Sequence, residues 1–211
     1  MIRRIRNAGL AFLAGTGLAV AEPVTIAALG DSLTQGYGLP PYEGLVPPLQ
    51  RWLDGNGAGV RLINAGVSGD TTAGGLARVG WTLSDEVDAL IVALGGNDVL
   101  RGIPPDEARS NLSGILSAAA ERDVPVLLVG VSAPGNYGPD YKAAFEAIYP
   151  DLAEEYGALL YPDFLSGITD DTERALAEWM QSDGLHPNAA GVARIVDGIG
   201  PIVMELEEAL Q

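Results

Sequence analysis

Five short, almost continuously apolar runs, separated by helix-like stretches, constrain the fold of this chain more than any other feature. Strands are predicted at 24–29, 60–64, 89–94, 124–131 and, more weakly, 158–161. Runs that are apolar throughout are typical of strands covered on both faces, as in a parallel sheet. Helices are predicted at 44–54, 106–122, 141–156 and 188–210. The alternation predicts an α/β fold with right-handed crossovers, and Pro201 is expected to break or kink the last helix.

The amino terminus has the layout of a signal peptide. Three arginines precede an apolar run from 8 to 20, and Ala19-Val20-Ala21 matches an A-x-A cleavage site. The apolar run is shorter than the ~20 residues that a membrane span needs. We therefore expect residues 1–21 to be removed on ordinary secretion, with no stable membrane anchoring. The 211-residue length then leaves one domain at 22–211, periplasmic or secreted, which we expect to be a monomer.

Composition excludes several kinds of chemistry. The chain has no cysteine, so it has no disulfide, thiolate metal site or cysteine nucleophile. With one histidine as well, a transition-metal site is not expected, although an all-carboxylate Ca²⁺ site stays open. Removing three leader arginines takes Lys+Arg from 12 to 9 against 28 Asp+Glu, a net charge of −19. Such a surface disfavours nucleic acid and anionic membranes as partners.

Polar residues follow the first three predicted strands, at the edge where ligands of open α/β sheets bind. Ser32 follows the first strand, Gly66 the second and Asn97 the third. Taken singly, each has a structural alternative, a helix N-cap for Ser32 and turn formation for the others. Together they supply what acyl transfer needs, a hydroxyl and a set of oxyanion donors. The predicted donors are the Ser32 N–H, the Gly66 N–H and the Asn97 amide.

The chain's one histidine lies in Asp183-Gly184-Leu185-His186-Pro187. Gly184 permits a tight turn that brings the Asp183 carboxylate onto one ring nitrogen and leaves the other to face the serine hydroxyl. A solvent-exposed loop histidine is the alternative for this segment considered alone. The order of the blocks along the chain favours a catalytic role for His186.

The segments Gly30-Asp31-Ser32-Leu33, Gly66, Gly95-Gly96-Asn97-Asp98 and the His186 block resemble the four blocks of the SGNH (GDSL) hydrolase family. The resemblance extends to the segments at 100–102, 133–138, 145–150 and 179–181. It implies a flavodoxin-like, three-layer α/β/α sandwich with a five-stranded parallel sheet. It also implies Ser32 as nucleophile, His186 as general base and then acid, Asp183 as its orienting partner, and no cofactor. Asp31 and Asp98 are interpreted as structural.

The resemblance implies a serine esterase acting on acyl or aryl esters, thioesters or lysophospholipids. Since an exported enzyme rarely meets cytosolic thioesters, esters and lysophospholipids are favoured. Apolar residues near the blocks are candidates for an acyl groove, with ordinary loop packing as the alternative for each: Leu33, Tyr37, Leu39, Pro134, Tyr137, Ile168 and Leu185. The glycine-rich segments 69–80 and 135–140 are predicted to be loops that move over substrate. A carbohydrate O-acetylesterase and a non-catalytic ligand-binding protein are the alternative functions.

Overall fold

A computed structural model describes residues 22–169 and 178–210. The predicted signal peptide, 1–21, lies outside the described residues. The strands are β1 Val24–Gly30, β2 Val60–Gly66, β3 Ala89–Ala93, β4 Val126–Val129 and β5 Leu159–Tyr161. They form one parallel sheet in the order β2-β1-β3-β4-β5. The five-stranded parallel sheet predicted from the sequence is confirmed.

Helices cover both faces of this sheet and complete the three layers. They are α1 Ser32–Gln35, α2 Val46–Gly55, α3 Thr72–Thr82, α4 Gly96–Arg101, α5 Pro105–Ala120, α6 Pro139–Tyr156, α7 Ser166–Thr169 and α8 Ala189–Glu208. A 3₁₀ turn, Gly135–Tyr137, precedes α6. Within the described ranges, no helix is both long and apolar enough to cross a bilayer.

Strand β1 separates two hydrophobic cores, because successive side chains of a strand point to opposite faces. Ile26 and Ala28 belong to the core formed with α2 and α8. Ala27 and Leu29 belong to the core formed with α3, α5 and α6. All four side chains are essentially buried, which explains why the run is apolar throughout.

The predicted loop at 69–80 is wrong, since most of it is helix α3. The Thr71 side chain accepts a hydrogen bond from the Gly74 N–H and caps this helix. Gly75 allows a close approach to the sheet: a Cβ there would lie 2.2 Å from a methyl of Leu94. Gly75 therefore allows α3 to pack closely against Leu94 and does not mark a mobile loop. The segment 135–140 also carries structure, the 3₁₀ turn and the first residues of α6.

The predicted break at Pro201 is also wrong, because α8 continues through that residue. Pro201 is exposed, whereas Ile199, Val203 and Leu206 of the same helix are buried. A proline on the solvent side removes one helical N–H where water hydrates the freed carbonyl. Burial of the opposite face then holds the helix together on both sides of the proline.

Candidate active site

The carboxyl ends of all five strands meet at one edge of the sheet, and the candidate active site lies along it. In spatial order the residues that follow the strands are Gly69 after β2, Ser32 after β1, Asn97 after β3, Ser132 after β4 and Asp163 after β5. All five line one cavity of about 460 Å³. Leu185 and His186 reach the same cavity from the turn before α8.

Ser32 is the first residue of α1, directly after β1. The Asp31 side chain caps this helix by accepting a hydrogen bond from the Leu33 N–H at 3.0 Å. Glycine is required at position 30, because a Cβ there would lie 2.0 Å from Thr34 Oγ1. The Ser32 main-chain N–H has no acceptor among the described residues. It is therefore free to bind a ligand beside the serine hydroxyl.

A tight turn brings His186 and its carboxylate partner to Ser32. Asp183 Oδ1 accepts hydrogen bonds from the N–H groups of Leu185 (2.9 Å) and His186 (3.0 Å), and Gly184 has a φ of +66°. The other oxygen, Asp183 Oδ2, lies 2.7 Å from His186 Nδ1. His186 Nε2 lies 2.9 Å from Ser32 Oγ. A continuous path of hydrogen bonds thus joins the carboxylate to the hydroxyl.

The same contacts keep Asp183 ionised. The hydrogen bond from His186, followed by those from the Leu185 and His186 N–H groups, lowers the pKa of Asp183 to about 2. A carboxylate at this position favours the ring tautomer with its proton on Nδ1, which leaves Nε2 as an acceptor for the serine proton.

Asn97 lies in the first turn of α4 and contacts the β1 loop. Its Nδ2 donates a hydrogen bond to Asp31 Oδ2 at 3.2 Å. Asp98 instead faces α3, where it accepts hydrogen bonds from the Thr72 N–H (2.8 Å) and hydroxyl (2.5 Å). Burial raises the pKa of both Asp31 and Asp98. These contacts fit the structural role predicted for the two carboxylates.

The structure does not place the Gly66 N–H in the oxyanion position predicted for it. In a parallel strand, successive N–H groups point to opposite sides. The Val67 N–H donates to the Gly30 carbonyl of β1, so the Gly66 N–H points to the open side of the edge strand β2. There it donates to Asn64 Oδ1 at 2.9 Å. Gly66 instead allows the end of β2 to lie close to the end of α1, since a Cβ at position 66 would lie 2.3 Å from the Gln35 main-chain nitrogen.

Gly69, three residues further on, lines the cavity, whereas Gly66 does not. It has a φ of +83°, a conformation that favours glycine. Its carbonyl accepts a hydrogen bond from Arg101 Nη2 at 2.7 Å, and its N–H has no acceptor among the described residues. The segment Ser68-Gly69-Asp70 follows the end of β2 at Gly66. Its place directly after a strand was the signal in the sequence that could have identified Gly69.

The cavity is apolar over most of its wall. Four of the five predicted substrate-binding residues line it: Leu33, Tyr37, Pro134 and Leu185. Tyr137, the fifth, does not. Its ring packs on Tyr141 with centroids 5.0 Å apart, and its hydroxyl donates to the Leu100 carbonyl at 3.4 Å.

Two further groove candidates also lie elsewhere. Ile168 is buried in the α2–α8 core, and Leu39 lines a separate small recess behind Ser32. The prediction missed the wall residues that come from helix α4 and from the ends of β3, β4 and β5. They are Ala93, Gly96, Val99, Leu100, Val129, Val131, Ser132, Asp163, Phe164 and Leu165. Ligands of open α/β sheets bind beyond the carboxyl ends of the strands. The same argument, applied to β4 and β5, would have predicted the residues that follow them, at 131–132 and 163–165.

The part of the chain that the structure describes holds no group of three or more potential metal ligands. A serine, an imidazole and a carboxylate in hydrogen-bonded series, at the carboxyl edge of a parallel α/β sheet, define the class as a serine hydrolase.

Comparison with known proteins places the chain within that class. Residues 28–194 match the GDSL-like Lipase/Acylhydrolase family, and the chain belongs to this family. Esterase TesA of Pseudomonas aeruginosa is 38% identical over 187 residues, which cover 88% of this chain and 90% of that protein. Thioesterase 1/protease 1/lysophospholipase L1 of Escherichia coli K12 is 36% identical over 175 residues, 82% of this chain and 80% of that protein.

A solved structure agrees with these relatives. AlinE4, an SGNH-hydrolase family esterase, is 45% identical with a TM-score of 0.73, and the match covers 89% of this chain and 98% of that one. The chain is accordingly an ester-hydrolysing enzyme of the SGNH type.

Proposed function

We propose that this chain is an exported serine esterase in which Ser32 is the nucleophile, His186 the general base and acid, and Asp183 the residue that orients His186. The observation that carries the proposal is the series of contacts from Asp183 Oδ2 to Nδ1 (2.7 Å) and from Nε2 to Ser32 Oγ (2.9 Å). Both distances suit proton transfer and orientation without rearrangement.

The proposed reaction has two steps. His186 Nε2 accepts the Ser32 proton while Oγ attacks the ester carbonyl, and the imidazolium then donates that proton to the leaving oxygen. An acyl group remains on Ser32. Water, deprotonated by the same nitrogen, then attacks the acyl carbonyl. The bond from the acyl carbon to Oγ breaks, His186 returns the proton to Ser32 Oγ, and a carboxylic acid leaves. Asp183, with its pKa of about 2, stays ionised over this cycle and stabilises the imidazolium.

Three donors are proposed for the oxyanion of the tetrahedral intermediate: the N–H groups of Ser32 and Gly69 and the side-chain amide of Asn97. All three residues line the cavity. Asn97 Nδ2 has a second hydrogen beyond the one that it donates to Asp31. Gly69 takes the place that the sequence analysis assigned to Gly66. Removing one such donor typically costs about 10²–10³ in turnover.

The cavity supports apolar acyl or aryl esters as substrates, since such groups gain free energy on leaving water for an apolar wall. It does not favour the carbohydrate O-acetylesterase alternative, which needs polar groups for a sugar. The name of the Escherichia coli relative, which includes thioesterase and lysophospholipase, supports thioesters and lysophospholipids as further substrates. The basic and apolar segments of residues 1–21 support export to the periplasm or medium.

A chain-length series of 4-nitrophenyl esters, run beside acetylated sugars, tests this function. We expect turnover that rises from acetate towards medium-length acyl groups, and none with Ser32→Ala, whose circular dichroism spectrum stays that of the parent. Preferred turnover of acetylated sugars would support the O-acetylesterase instead. No ester turnover by the parent would support a non-catalytic binding protein, and retained turnover in Ser32→Ala would contradict the mechanism.

A further inference from the structure

The cavity that contains Ser32 ends at a carboxylate which the proposed reaction does not use. Ser32 follows β1 and Asp163 follows β5, and both line the same cavity. In the order β1-β3-β4-β5 the two strands are three spacings apart, which is roughly 14 Å at the usual separation of neighbouring strands. The cavity thus extends along the sheet edge as a trench from the nucleophile to Asp163.

The wall between these two ends is mostly apolar, although the polar side chains of Asn97 and Ser132 also line it. Ala93 at the end of β3 and Val129 at the end of β4 are buried, as is Val99 of α4. Together with Val131 they offer no hydrogen-bonding side chain to a ligand. Asp31 also lines the cavity beside Ser32, but it is buried and bonded to Leu33 and Asn97. The next carboxylate that an acyl chain in the trench meets is Asp163.

Asp163 is held in place by neighbouring donors. Its Oδ2 accepts a hydrogen bond from the Ser132 hydroxyl at 3.0 Å, and its Oδ1 accepts one from the Leu165 N–H at 3.1 Å. The Phe164 N–H donates to the Gly130 carbonyl and fixes the loop itself. A carboxylate has about four acceptor sites, so two remain. In the described ranges Asp163 has no basic side chain within ion-pair distance.

The trench suits the acyl group better than the leaving group. The leaving oxygen must lie near His186 Nε2, from which it takes a proton. The side chains beside His186 are half-exposed: Tyr37 and Leu185 are each 51% accessible. Leaving groups of different sizes can extend from there into solvent. The trench lies on the opposite side, where Ala93, Val99 and Val129 are buried, although its far end, at Ser132, is exposed.

We propose that Asp163 is a specificity-determining residue that selects esters whose acyl group ends in a cationic or hydroxyl group. This proposal rests on the function proposed above. An ammonium or hydroxyl at the end of the acyl chain donates to the free acceptor sites of Asp163, and such charge-assisted hydrogen bonds are the strong ones. A terminal carboxylate is repelled, and a terminal methyl group of the same length covers the two remaining acceptor sites without supplying a donor.

The test uses 4-nitrophenyl esters of three matched acyl series, ending in methyl, ammonium or carboxylate, at several chain lengths and low salt. We expect one length at which the ammonium ester exceeds the carboxylate ester at least about tenfold in kcat/KM, the effect of one charge-assisted hydrogen bond. Asp163→Asn should abolish this preference, measured as the ratio of kcat/KM for the ammonium and carboxylate esters. Ser132→Ala keeps the charge and should keep the preference.

Two controls separate a local from a general effect. Asp85→Asn removes the same charge from an exposed loop that precedes β3, at the opposite edge of the sheet, and should leave the preference intact. A second series with the ammonium on the alcohol portion should not depend on Asp163.

The outcomes distinguish the two proposals. If the methyl esters are hydrolysed but the acyl preference is absent, is unchanged in Asp163→Asn or is lost in Asp85→Asn, the proposal for Asp163 is wrong and the esterase stands. Dependence on Asp163 in the alcohol series alone also overturns it. No turnover of any ester would overturn the proposed function itself.

Discussion

Asp31 joins two parts of the candidate active site through its two carboxylate oxygens. One accepts the Leu33 N–H and begins α1 behind Ser32, and the other accepts Asn97 Nδ2. Asp31 makes these two contacts in a buried position, since it is only 4% exposed. Burial raises the pKa of Asp31, although the bonds from Leu33 and Asn97 act in the opposite direction. Holding an ionised Asp31 at this buried position therefore lowers the free energy of unfolding.

The raised pKa predicts how stability changes with pH. Below the ordinary aspartate pKa both the folded and the unfolded chain carry a neutral Asp31, so its ionisation does not change the free energy of unfolding. Between the ordinary and the raised pKa the unfolded chain is ionised while folded Asp31 keeps its proton, so the free energy of unfolding falls as pH rises through this interval. Above the raised pKa the folded chain holds a desolvated charge that the unfolded chain hydrates, and the loss is complete. Asp31→Asn should therefore melt a few degrees higher than the parent at pH 7, with a smaller difference at pH 3.

The same substitution should lower activity. Asparagine offers one carbonyl oxygen in place of two, so it cannot accept separately from Leu33 and Asn97. We expect kcat to fall about tenfold, the effect of one lost hydrogen bond to a charged group. Differential scanning calorimetry and ester kinetics measure the two effects. A variant that is less stable at pH 7, or as active as the parent, would contradict this account of Asp31.

At the scale of elements, Gln181 joins the turn that carries His186 to the loop that follows α1. Its Nε2 donates to the Tyr37 carbonyl at 2.9 Å and to the Pro187 carbonyl at 3.0 Å, and its main-chain N–H donates to the His186 carbonyl. The Tyr37 ring in turn contacts the His186 imidazole, with centroids 4.8 Å apart. These contacts fix two segments that are distant in sequence at the separation that the Ser32–His186 contact requires.

Gln181→Met keeps the length of the side chain and removes its two hydrogen bonds. Because the His186 turn is then less well positioned, we expect kcat to fall roughly thirtyfold with KM nearly unchanged, as for the loss of two neutral hydrogen bonds of ~1 kcal/mol each.

Gln50→Met is the matched control. Gln50 joins α2 to β2 through the Val60 carbonyl and the Leu62 N–H, and does not line the cavity. Its substitution should lower the melting temperature without lowering kcat. If both variants lose stability and neither loses kcat, Gln181 has no positioning role.

The elements were predictable where one local signal dominates. β1 and β3 follow from unbroken apolar runs, and α5 from its helical spacing after two prolines. Helix α3 was missed because Gly74, Gly75 and Gly80 normally weaken a helix. The close approach to Leu94 that requires Gly75 is a tertiary contact. The same limit applies to Pro201, since exposure on one face of α8 is not visible in the sequence.

Over the whole molecule, the sheet order converts residues far apart in sequence into neighbours. The rule that ligands bind at the carboxyl ends of parallel strands predicted the neighbourhood of Ser32 and Asn97, and His186 was predicted from its spacing to Asp183 and the order of the blocks. It did not separate Gly66 from Gly69, because the direction of a single N–H depends on strand pairing. It did not find Asp163 either, since β5 was the weakest predicted strand and no motif marks the residue.

The central claim is that His186 and Asp183 activate Ser32 as a covalent nucleophile. Reaction with a fluorophosphonate tests it most directly, with intact-protein mass spectrometry to count adducts and peptide mapping to locate them. The account predicts one adduct per chain, on Ser32, none in Ser32→Ala, and much slower labelling in His186→Ala. An adduct on another residue, or undiminished labelling of Ser32→Ala, would contradict it.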